Sequence, residues 1–173
     1  FQTRLHPQAD VKIAEKVAAE AGAIHCVLTV DELENEELLN NPVNRCYLCK
    51  KYLFGRLISF GQARGISLFL DGTNADDLNV YRPGIQALKE LGIRSPLAEL
   101  GVTKAQVRQL AAQLGLSVAS RPSAPCLATR IPYGNRLDFD LFEKIDRAET
   151  FLQELGYPVV RVRVHGDIAR IEV

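Results

Sequence analysis

Four cysteines stand at positions 26, 46, 49 and 126, and three of them are set among residues that suit thiol chemistry. Cys46 and Cys49 follow Asn44, a residue type that caps helix N-termini. On a helix, a spacing of three places both thiols on one face. A helix N-terminus favours thiolate over thiol, and Lys50 and Lys51 add positive charge. Thiolates bind soft metals or attack electrophiles. The plainer readings of the same pair are a redox couple or two unliganded helix cysteines. A closed zinc site takes four ligands, and Cys126, just after Pro125, is a candidate third. Cys26 sits inside Ile24-His25-Cys26-Val27-Leu28-Thr29-Val30, so it is expected to pack as a small hydrophobe in a buried strand. The three histidines, His6, His25 and His165, are scattered and make no metal constellation.

A second cluster, Asp71-Gly72-Thr73-Asn74-Ala75-Asp76-Asp77, directly follows the apolar run Ser67-Leu68-Phe69-Leu70. Open parallel sheets bind ligands beyond the carboxyl ends of their strands. Asp71, Asn74, Asp76 and Asp77 have the groups to hold magnesium or a ribose. A turn rich in Asp and Asn that caps a helix uses the same residue types. Arg161 and Arg163 alternate along a predicted strand and share one face, with His165 continuing the row. Paired guanidiniums suit a phosphate; a solvated strand face is the competing reading. The sequence contains no glycine-rich phosphate loop of either common kind, so nucleotide chemistry here calls for a loop upstream of Phe1.

The elements that position these residues alternate. Helical periodicity runs from Asp10 to Ala21, from Arg45 to Arg64, from Gly84 to Leu91, and from Thr103 to Gly115. Short apolar runs at 24–30 and 67–70 lie between them as buried strands. This order predicts an α/β fold on a parallel sheet. At Arg121-Pro122-Ser123-Ala124-Pro125 the periodicity stops, which marks a linker. An amphipathic helix over 141–155 and a hairpin around His165-Gly166-Asp167 then open a smaller α+β domain. The chain begins with Phe1, contains no Met and stops in its last strand, so it is expected to be the middle of a longer protein. Basic and acidic residues balance at 21 each, which argues against a general nucleic-acid surface. No apolar run approaches a membrane span and the first residues are not a signal peptide. A reducing, cytoplasmic setting fits the cysteines.

These segments together resemble the ATP-dependent sacrificial sulfur transferases of the PP-loop pyrophosphatase superfamily. The marks are Asn44-Arg45-Cys46-Tyr47-Leu48-Cys49-Lys50-Lys51, Asp71 to Asp77 with Tyr81-Arg82-Pro83-Gly84, Ser95-Pro96-Leu97-Ala98-Glu99, Pro122 to Arg130 with Pro132-Tyr133-Gly134, and Arg161-Val162-Arg163-Val164-His165-Gly166-Asp167. The resemblance implies a PP-loop domain over 1–120 lacking its first strand and phosphate loop, a linker over 121–134 carrying Cys126, and an incomplete substrate domain over 135–173. It implies that ATP, with magnesium, adenylylates a carboxylate of a pyridinium biscarboxylate mononucleotide, and that sulfur then displaces AMP. The product lies on the route to the nickel-pincer cofactor of lactate racemase. Some members sacrifice the sulfur of the cysteine matching Cys126, which becomes dehydroalanine. Others hold a 4Fe-4S cluster on cysteines matching Cys46, Cys49 and Cys126 and pass on a sulfide from the open iron, and the presence of all three here favours that type. Asp71, Thr73, Asn74, Asp77 and Arg82 are then expected at the nucleotide, and Arg130, Arg161 and Arg163 at the substrate phosphate. Homo-oligomers are the habit of the family, with no nucleic-acid or membrane partner. A tRNA thiolase and a non-catalytic metal-binding subunit are the alternatives.

Overall fold

A computed structural model describes residues 1–7 and 9–173 of the chain. Its helices are α1 (Ala9–Glu20), α2 (Glu36–Leu39), α3 (Arg45–Gln62), α4 (Pro83–Glu90), α5 (Pro96–Glu99), α6 (Lys104–Gln113) and α7 (Phe139–Glu154). Tight 3-10 turns occupy Glu32–Glu34, Ala75–Asn79 and Leu127–Arg130, and β1 (Arg161–His165) and β2 (Ile168–Glu172) close the chain. Two compact units result. Unit 1 gathers Phe1–Glu15, Thr29–Val43 and Arg121–Val173; unit 2 gathers Lys16–Leu28 and Asn44–Ser120.

Unit 1 is built on the apolar face of α7. Phe139, Phe142 and Ile145 recur at helical spacing and are buried against Leu5, Leu127, Ala128, Ile131, Leu137, Val160 and Val162. Asp138 starts the helix by accepting the Leu141 N–H at 3.0 Å. β1 pairs antiparallel with β2, Arg161 opposite Glu172 and Arg163 opposite Arg170. The period of two buries Val162 and leaves Arg161 and Arg163 on the other face. Asn41, fully buried, takes a left-handed φ of 46°, which Asn tolerates, and its amide donates to the Pro132 carbonyl at 2.8 Å.

Unit 2 packs α3 against α4. Gly84 lets the helices approach: a Cβ there would lie 2.9 Å from Cδ of Lys50 and 3.2 Å from the Cys46 carbonyl. Leu53, Ala87, Leu88 and Ile93 are buried in this unit. Asn44 occupies the N-cap position of α3 but makes no side-chain capping bond, whereas Thr103 caps α6 in a reciprocal box with Gln106. No helix among the described residues is long and apolar enough to cross a membrane.

The two apolar runs differ from their prediction as buried strands. Among the described residues each supplies only one isolated parallel bridge, Thr29 with Gln2 and Leu70 with Arg94. A parallel strand is buried only when neighbours flank it. Without them Ile24 is 95% exposed and Leu68 58% exposed. Cys26, expected in a core, is likewise exposed.

Candidate functional site

In unit 1 the loop around Cys126 is gripped by arginines. Arg130, 2% exposed, closes the 3-10 turn that follows Cys126. Its Nε and Nη2 donate to the two oxygens of Glu149 at 2.7 and 2.9 Å. Its Nη1 donates to the Thr129 hydroxyl at 2.7 Å and the Pro125 carbonyl at 3.4 Å. Thr129 in turn donates its hydroxyl to the Cys126 carbonyl at 2.8 Å. Arg161 donates to the Ser123 carbonyl at 2.8 Å, and Arg163 to the Thr129 carbonyl at 2.8 Å. The carbonyls of residues 123, 125 and 129 thus each meet a guanidinium. Cys126 itself is half-buried, packed against the unit 1 core and outside any disulfide.

The three arginines differ in what remains to them. Arg130, expected at a substrate phosphate, gives its fork to Glu149 and its remaining arm to the loop. A buried charge requires such a partner. Arg163 donates to Glu172 at 2.8 Å. Arg161 has only the Val160 and Ser123 carbonyls among the described residues, and no carboxylate. Burial, then Arg130 and Arg163, push its guanidinium below its ordinary value against the opposing pull of Glu149 and Glu172. An arriving anion would relieve that repulsion and take a forked, charge-assisted bond.

In unit 2, Cys46 is exposed and Cys49 half-buried in the first turns of α3. The buried Arg45 holds an Nη2 3.9 Å from the Cys46 sulfur. Asp71 gathers Ser95 at 2.5 Å, Thr73 at 2.6 Å and Lys50 at 3.5 Å. Burial alone would raise the Asp71 carboxyl, but the bonds from Ser95 and Thr73 and the Lys50 charge outweigh it and hold it below its ordinary value. Asn74 and Asp77 form a capping box on the Ala75–Asn79 turn, and Arg82 pairs with Asp77 at 3.0 Å. Asp76 accepts the Lys104 N–H at 2.9 Å. The residues expected at a nucleotide are therefore brought together on one loop, and each carboxylate has a partner within unit 2. Lys50 and Ser95, which were not among the residues expected at a nucleotide, complete this cluster.

Glu149 was also not legible as a functional residue, although a carboxylate in register with Phe142 and Ile145 on the apolar face of α7 is the available signal. Cys46 and Cys49 belong to unit 2 and Cys126 to unit 1. Among the described residues no three His, Cys, Asp or Glu side chains are drawn together around a metal position.

No protein-family model matches the chain. It is nevertheless similar over most of its length to curated bacterial and archaeal proteins. It is 43% identical over 164 residues, 95% of the chain, to an uncharacterized protein of Synechocystis sp.. Over 160 residues, 92% of the chain, it is 39% identical to the pyridinium-3,5-bisthiocarboxylic acid mononucleotide synthase of Lactiplantibacillus plantarum. An uncharacterized protein of Methanocaldococcus jannaschii is 32% identical over 146 residues. The chain covers 61%, 58% and 57% of the lengths of these relatives, about three-fifths of each.

Proposed function

We propose that the chain is the sulfur-inserting part of an ATP-dependent enzyme that converts a pyridinium biscarboxylate mononucleotide to its thiocarboxylate. The observation that carries this reading is Arg161, a guanidinium with no carboxylate partner among the described residues, bonded to the loop that bears Cys126. The similarity to a bisthiocarboxylic acid mononucleotide synthase supports it. Arg161, with Arg163, binds the phosphate of the mononucleotide, and Cys126 stands on the loop those arginines hold.

The reaction balances in two steps. A substrate carboxylate oxygen attacks the α-phosphorus of ATP, and pyrophosphate leaves. A sulfur nucleophile then adds to the acyl carbon, the C–O bond breaks, and AMP leaves with the electron pair. Magnesium accompanies ATP, and the Asp71–Arg82 loop faces the nucleotide in this reading. Three thiols outside disulfides, Cys46, Cys49 and Cys126, match the donor chemistry of a 4Fe-4S cluster. Were such a cluster bound, these thiolates would hold it and it would supply an exchangeable sulfide at an open iron.

A second reading has one observation in its favour: Cys126 is half-buried on a loop that three arginines hold by its carbonyls, which suits a single positioned nucleophile. In that case the Cys126 thiolate itself attacks the acyl carbon. Loss of its Cα proton and cleavage of its Cβ–S bond then leave dehydroalanine in the chain and sulfur on the product.

The test is turnover of the chain, in the full length its relatives have, with ATP, magnesium, sulfide and the biscarboxylate mononucleotide. Thiocarboxylate should form with AMP and pyrophosphate in equal amounts. Product without ATP, or release of ADP and inorganic phosphate, would overturn the reading.

A further inference from the structure

Burial of Arg130 and Glu149 is not explained by substrate binding, because every arm of the pair ends on the protein. Both groups are nearly sealed, with side chains 2% and 7% exposed. Oε1 of Glu149 accepts from Arg130 and also from the Val162 N–H at 2.7 Å. Val162 lies between Arg161 and Arg163 on β1. The remaining arm of Arg130 reaches the carbonyl of Pro125, one residue before Cys126, and the Thr129 hydroxyl that holds the Cys126 carbonyl. One ion pair, anchored on α7, thus fixes β1 on one side and the cysteine loop on the other.

We propose that Arg130 and Glu149 are the positioning pair that holds the Cys126 thiol in register with the Arg161–Arg163 face. This rests on the reading of Cys126 as the sulfur-bearing residue. Buried ion pairs can often be replaced by apolar residues of similar volume without loss of stability. Stability alone therefore does not call for this pair. What apolar side chains cannot reproduce is the forked, directional reach to Pro125, Thr129 and Val162 at once. Arg161 and Arg163 grip the same loop at residues 123 and 129, but from groups that an arriving anion would compete for. Arg130, sealed from solvent, keeps the loop in place while the other two engage the anion.

The test uses a chain in which Cys26, Cys46 and Cys49 are serine, so that Cys126 is the sole thiol, and follows the rate of its alkylation by iodoacetamide at one fixed pH. The variants are Arg130→Lys, which keeps the charge but loses the fork, and the double change Arg130→Met with Glu149→Leu, which keeps the volume. Phe142→Leu, a core change that removes none of these hydrogen bonds, supplies a matched loss of thermal stability. Loss of one ordinary net hydrogen bond shifts a closed-to-open population by about fivefold. Alkylation of Cys126 should rise by at least that factor in both loop variants and not in Phe142→Leu. Alkylation at the parent rate in Arg130→Lys overturns the proposal, and that variant decides if the double one does not fold. The readout involves no sulfur transfer. A chain that fails to make thiocarboxylate but shows the faster alkylation would therefore reject the functional reading and leave the positioning pair standing.

Discussion

Replacing Arg161 by alanine should weaken anion binding more than the same change at Arg163, although the two arginines are neighbours on one strand face. The asymmetry follows from their partners. Arg163 is neutralised by Glu172 at 2.8 Å, so an anion must share it with a carboxylate. Arg161 gives its bonds to carbonyls alone and carries the charge that burial and the nearby arginines disfavour. A charge-assisted bond contributes about 1.5–3 kcal/mol, and at this half-exposed site the lower end applies, so Arg161→Ala should raise Kd by roughly 10- to 30-fold. For Arg163→Ala the loss is smaller, because Glu172 already takes up the Arg163 charge and keeps Arg170 as a partner when Arg163 is gone, leaving a change of about fivefold or less. Isothermal titration with a pyridine mononucleotide such as nicotinate mononucleotide, at two ionic strengths, measures both. The Arg161 effect should shrink at higher salt. Equal losses at the two positions, or a larger loss at Arg163, would refute the reasoning from partners.

Gly84→Ala should cost about 1–3 kcal/mol by urea denaturation, because its Cβ would crowd Lys50 and the Cys46 carbonyl where α3 and α4 meet. Asn74→Ala should cost about 1 kcal/mol by opening the capping box, read as faster hydrogen exchange at the Asp76 and Asp77 amides. His6 is held below its ordinary value by burial, against the pull of Glu32 and Asp10, and its Nδ1 lies 2.7 Å from the Thr3 hydroxyl oxygen. Its neutral form is thus the one the fold favours. The stability it contributes is complete above the ordinary value of about 6.5 and is lost as pH falls through the folded value. Thermal melts between neutral and mildly acidic pH should show that loss, and His6→Gln, which does not titrate in this range, should remove it.

The helices were legible because their signals are local. The apolar spacing of Phe139, Phe142 and Ile145 and the Thr103–Gln106 box each lie within one or two turns of chain. The strand runs were legible as extended apolar segments but not as exposed ones. Burial of Ile24 or Leu68 depends on neighbouring strands, and the sequence of a run says nothing about which strands flank it. At the candidate site, Arg161 and Arg163 were visible from their alternation, and their different partners were not. Glu172 reaches Arg163 only through the hairpin register. Residue type alone likewise does not disclose that Arg130 gives its fork to Glu149, 19 positions away.

The central claim is that sulfur reaches the substrate through Cys126. The direct measurement is a single turnover of the parent and of Cys126→Ser with ATP, magnesium, sulfide and the biscarboxylate mononucleotide, with product and intact protein both weighed by mass spectrometry. The account predicts thiocarboxylate from the parent and none from Cys126→Ser, with either an unchanged protein mass, for sulfide passed on from a cluster, or the loss of one hydrogen sulfide from the chain, for a sacrificed cysteine. Thiocarboxylate formed by Cys126→Ser in the yield of the parent would contradict it.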